Sequence, residues 1–162
     1  MIHIRKLSAA NFIPATLTLF CAAAIFIFSM QSGDQSAELS SGLLAHILAF
    51  AKGVPVSEIT YEQLLKYSFL MRKAAHFTIF FTLGIFSCWT AWGFFRKNHM
   101  IISLIFCILY ACTDEIHQFF SEGRGPAVRD VLIDSAGAFT GVCITAFVIF
   151  IFSNRKNDSS LH

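Results

Sequence analysis

The sequence predicts an all-α, polytopic membrane protein: a four-transmembrane-helix bundle with a short amphipathic helical region between the first and second spans. Three observations predict it. The chain is 56% hydrophobic and only 14% charged, against about 25% charged in an ordinary soluble domain. It contains four apolar runs, each long enough to cross a bilayer. The polar residues between the runs gather at their ends instead of being spread along them. All 162 residues read as one domain, for which the lipid bilayer is the obligatory partner. A net charge of +2 gives no case for nucleic-acid binding. The cysteines (Cys21, Cys88, Cys107, Cys112, Cys143) all fall in apolar runs, with neither metal spacing nor a disulfide framework, and read as small buried hydrophobes.

The first span is expected over 12–30. Its nineteen residues, rising about 1.5 Å each, reach about 28 Å. No convincing cleavage site precedes Gln31, so the helix reads as uncleaved. Pro14 falls in about its first turn, where a missing N–H is tolerated. Residues 31–72 form a long polar connection, placed outside the cell. Within it Leu39, Leu43, Ile47 and Phe50 recur at helical spacing, as do Leu44 and Leu48, which predicts an amphipathic helix at the membrane surface. Gly53-Val54-Pro55 ends it. Thr60 and Gln63 have capping-box spacing for a further short helix, Tyr61 to about Phe69. The second span is expected over 74–95, with the basic turn Arg96-Lys97-Asn98-His99 after it. The third runs over 100–119 and the fourth over 131–152. Gly137 and Gly141 give the fourth a small-x-x-x-small pattern suited to close helix approach.

Orientation follows from the basic residues of the short segments. With the N-terminus inside, Arg5, Lys6, Arg96, Lys97, Arg155 and Lys156 all become cytoplasmic and meet only one acid, Asp158. The remaining basic residues share their segments with the other acids. The expectation is a multi-pass protein of the cytoplasmic (inner) membrane with both termini cytoplasmic. The polar groups at the helix ends then lie at one outer depth.

These groups are the anomaly in the chain. A carboxylate in hydrocarbon costs about 3 kcal/mol or more and persists only where it is paired, hydrated or used. Yet Asp114 and Glu115 directly follow an apolar run, and Asp134 is already inside the next one. Lys73 and His76, three apart, share a helix face, as do Asp114 with Gln118 and Asp130 with Asp134. Each could be a local capping or solvation device, and Asp130 in particular could cap the fourth helix. All four helices being polar at the same end argues instead for one site. It offers acid–base chemistry through His76, Asp114 and Glu115 as candidate catalytic residues. It offers ligand binding through Gln31, Ser32, Arg72, Lys73, Gln118, Arg124, Asp130 and Asp134. Arg124, between Gly123 and Gly125, suits bidentate capture of a phosphate or carboxylate. His76, His117 and the acids could in principle ligate a metal. No fixed-spacing motif such as His-Glu-x-x-His occurs, so no metal and no cofactor are assigned. Lys73 is the expected partner of Asp134, whose removal should cost folded protein. His76 and Arg124 are expected to be removable without stranding a charge.

The chain resembles the VanZ-like family, small bacterial membrane proteins named for one associated with teicoplanin resistance. The likeness lies in Phe28-Ser29-Met30-Gln31-Ser32-Gly33-Asp34-Gln35-Ser36, Arg72-Lys73-Ala74-Ala75-His76-Phe77, Asp114-Glu115-Ile116-His117-Gln118-Phe119, Gly123-Arg124, and Asp130-Val131-Leu132-Ile133-Asp134 with Gly137 and Gly141. It covers about residues 12–150. Members often carry Glu-Tyr near two residues after the His-Phe pair, where this chain has Ile79-Phe80. The resemblance implies an envelope location and, in some members, lowered susceptibility to teicoplanin-type glycopeptides, without a settled chemistry. Three readings stand: a protein binding a lipid-linked cell-wall precursor or an anionic lipid headgroup, an intramembrane enzyme acting on such a molecule, or a structural bundle with a register-fixing polar network. The Pro-Ser-Gly-His signature of lipid phosphatases is absent.

Overall fold

In the computed structural model, which describes residues 9–121 and 127–158, the regular structure is entirely helical. The order is α1 (Ala9–Ser29), α2 (Gly33–Lys52), a 3-10 turn at Val56–Glu58, α3 (Tyr61–Phe95), α4 (His99–Phe119) and α5 (Val128–Asp158). Four of these helices are long and apolar enough to cross a membrane: α1, α3, α4 and α5. Large hydrophobics such as Leu19, Phe20, Leu109, Phe147 and Phe150 remain exposed around them, as expected where hydrocarbon replaces water.

Two helix boundaries differ from expectation. The short helix at 61–69 and the second span are one continuous helix, because Leu70-Met71-Arg72-Lys73 are good helix formers with no glycine or proline among them. Thr60 stands at its N-cap but makes no side-chain capping bond. The capping box instead opens α2, where Gln35 N–H donates to Ser32 Oγ at 3.3 Å and Ser32 N–H donates to Gln35 Oε1 at 3.2 Å. Gly53 closes α2 with a left-handed φ of 66°, a conformation open to glycine at no steric cost. Pro14 lies one turn deeper in its helix than the sequence suggests, since α1 has formed by Ala9.

The core centres on α3. Cys21 and Ile25 of α1, Phe80 and Leu83 of α3, Cys107 and Ala111 of α4 and Ala138 of α5 form its buried cluster. Among the bonds that fasten α1, Tyr110 Oη donates to the Ala22 carbonyl at 2.6 Å, and the hydroxyls of Thr18 and Thr90 meet at 2.9 Å. Helices α3 and α5 run in the same direction and approach most closely. Gly137 lies against the Phe77 carbonyl, Gly141 against the Phe81 carbonyl, and Gly84 against that of Ala138. A Cβ at any of the three would collide with backbone, so the glycines are what allow this approach. Helix α2 packs Leu44, Ala45 and Ala49 inward and leaves Leu39, Leu43, Ile47 and Phe50 exposed. It is amphipathic as predicted; Leu39 and Leu43 of the longer apolar stripe border a cleft against α1 and α3, while Ile47 and Phe50 stay exposed.

Candidate functional site

The close α3–α5 approach fixes which polar side chains meet. Lys73 and His76 on α3 stand level with Asp130 and Asp134 on α5, about one turn apart on each helix. Lys73 Nζ donates to Asp130 Oδ1. His76 Nδ1 lies 3.4 Å from Asp134 Oδ1. Lys73 is therefore the partner of Asp130 and not of Asp134, because it sits a turn nearer the start of its helix. Asp130 does not cap α5 either, since it lies within the first turn and its carboxylate is held by Lys73.

The second wall comes from α4. Asp114 and Glu115, each 4% exposed, and Gln118 are buried. Asp114 Oδ1 accepts from Ser29 Oγ at the end of α1, and Oδ2 accepts from Gln118 Nε2 at 2.7 Å. Glu115 Oε2 accepts from the Ala127 N–H at 2.8 Å, tying α4 to the start of α5. Asp134 is 0% exposed. Neither of its oxygens has a hydrogen-bond partner of normal geometry among the described residues, and the His76 imidazole stands beside it. One ligand-type atom from each of His76, Asp114 and Asp134 lies within 4.8 Å of the others.

The site borders a cleft of about 270 Å³ between α1, α2 and α3. Its apolar lining includes Ile25, Phe28, Leu39, Leu43, Met71 and Ile79, and its polar end includes Ser29, Gln31, Arg72 and His76. Of the sequence-predicted residues, the fold thus groups His76, Asp114 and Asp134, pairs Lys73 with Asp130 and Gln118 with Asp114, ties Glu115 to the Ala127 backbone, and sets Gln31 and Arg72 on the adjoining cleft. Ser32 is set apart as the cap of α2. His117 packs its ring on Phe26, with centroids 4.5 Å apart, and Arg129 lies over Phe69 at 5.8 Å. Arg124 lies outside the described residues. Sequence reasoning misses Ser29, which is 2% exposed and binds Asp114. Its only sequence signal is its place at the end of the first span, at the depth of the other polar groups.

The arrangement supplies an imidazole held by a buried carboxylate, beside a guanidinium and an apolar channel. Such a set can hold an anionic group whose hydrophobic part stays in the membrane, or move a proton at it. No curated protein and no solved structure matches the chain significantly. The sequence profile of the family described as VanZ/LLP1 matches residues 15–152, which reaches into all four spans and takes in every polar group of the site. The chain belongs to the VanZ/LLP1 family.

Proposed function

We propose that the protein binds an anionic lipid headgroup or lipid-linked cell-wall precursor at the outer leaflet of the cytoplasmic membrane, and thereby lowers glycopeptide susceptibility. The cleft carries the reading: it joins an apolar wall to Arg72, His76, Ser29 and Gln31, so one ligand can place its chain and its charged head in it together. A pocket of mainly apolar lining with a few convergent polar groups is the usual form of a ligand site. The basic residues of the short segments support the orientation. The basic loop residue Arg124 remains the sequence-based candidate for a second contact to the anion.

A second reading is favoured by one observation. Asp134 sits behind His76, and His76 reaches the cleft, the relation by which a carboxylate orients an imidazole for general acid–base work. Under this reading the protein alters the ligand it binds.

Native mass spectrometry of the purified protein and lipid profiling of cells with and without it separate the readings. Binding predicts a co-purifying anionic lipid that is lost in Arg72→Ala at normal folded yield, with cellular pools unchanged. Catalysis predicts a new or missing lipid species in cells. If Arg72→Ala and Arg124→Ala both keep the lipid, and folded His76→Ala leaves the lipid profile and any glycopeptide effect unchanged, both readings fail and the network is structural.

A further inference from the structure

We propose that His76, Asp114 and Asp134 form a divalent-cation site at the junction of α3, α4 and α5. The sequence assigns no metal because each ligand comes from a different helix and no spacing along the chain can display the set. The fold brings their donor atoms within 4.8 Å of one another, the separation that donors about 2.0–2.4 Å from one ion take up around it. The burial points the same way. Asp134 is 0% exposed and both its oxygens lack a hydrogen-bond partner among the described residues, and Asp114 is 4% exposed. Two carboxylates cannot share so dry a position without a compensating charge. Among the described residues the His76 imidazole, 3.4 Å from Asp134 Oδ1, is the group beside them, while Lys73 is engaged with Asp130 instead.

A dication with two carboxylates and a neutral imidazole is neutral as a set. One nitrogen and two carboxylate ligands suit Mn²⁺ or Zn²⁺ better than Ca²⁺ or a thiolate-preferring ion. Around them stands the supporting shell such sites require: Ser29 Oγ and Gln118 Nε2 both donate to Asp114 and fix its carboxylate. Ser29 and His76 also line the cleft, so the cation site borders it. The inference goes beyond the binding reading and does not depend on it, since cation binding is measured without any lipid ligand.

The test uses the full chain in detergent, stripped with chelator and titrated with Mn²⁺ alone, followed by Zn²⁺ in competition. The expected result is one saturable Mn²⁺ per chain, displaced by Zn²⁺, with electron-spin-echo modulation from a single imidazole nitrogen. The ion should also raise the temperature of unfolding. Asp134→Asn, which neutralises without changing shape, should weaken binding by about tenfold or more, while His117→Gln should leave it unchanged. A folded wild-type chain with no saturable Mn²⁺ or Zn²⁺ binding overturns the proposal. So does binding without nitrogen coupling, or binding retained in folded Asp134→Asn. Because saturation and nitrogen coupling are read on the wild type, poor folding of a variant does not shield the idea.

Discussion

Asp134 and His76 blur the expected division between structural and dispensable residues. The sequence implies that Asp134 is the residue whose loss strands a charge and that His76 can be removed freely. The geometry pairs the two, so the structural role extends to His76. Without His76, a carboxylate with 0% exposure and no hydrogen-bond partner among the described residues is left alone. His76→Ala is therefore expected to destabilise the protein by about 3–5 kcal/mol. The double variant His76→Ala/Asp134→Asn should recover most of that loss in thermal unfolding. Equal loss in single and double variants would show that the imidazole acts through packing alone. The Lys73–Asp130 pair is more open, at 17% and 19% side-chain exposure, and its disruption should cost less.

At the scale of the helix, the two kinds of glycine in this chain make opposite forecasts. Gly141 lies against the Phe81 carbonyl, so Gly141→Leu should overpack the α3–α5 seam by about 1–3 kcal/mol and lower the detergent-stable yield. Gly42, in the middle of α2, faces open space, with nothing within 4 Å of where a side-chain methyl would stand. Gly42→Ala should thus stabilise α2 by about 0.5–1 kcal/mol through propensity alone. A stable Gly141→Leu protein would place that face against lipid. The glycine seam is legible in the spacing of Gly137 and Gly141, as are the spans and the common depth of the acids, since each of these is a period along one helix. Three features are not legible: the partner of Lys73, the contact of Ser29 with Asp114, and the convergence of three helices on one ion-sized point. They depend on how each helix is rotated and how closely it approaches its neighbour, and no period within a single segment records that. The unbroken α3 escapes sequence reasoning for a different reason: the change from polar to apolar residues near Arg72 resembles a boundary, although nothing there breaks a helix.

For the molecule as a whole, sidedness is the first matter to measure. Ser57 and Asn98 are both exposed and lie at opposite ends of α3. In a cysteine-free background, Ser57→Cys should react with an impermeant thiol reagent in intact cells and Asn98→Cys should not. The opposite pattern would put the cleft in the cytoplasm and end the glycopeptide reading. Helix α3 has a further mechanical consequence. At 35 residues and about 1.5 Å each, it is about 52 Å long, well beyond the roughly 30 Å of a hydrocarbon core. Part of it therefore extends past the hydrocarbon core as a mast. Helix α2 is lashed to that mast, and no glycine or proline interrupts α3 before Gly84. A load on α2 meets no glycine or proline joint in that stretch of α3. Along that uninterrupted spar the first rungs are Lys73 against Asp130 and His76 against Asp134.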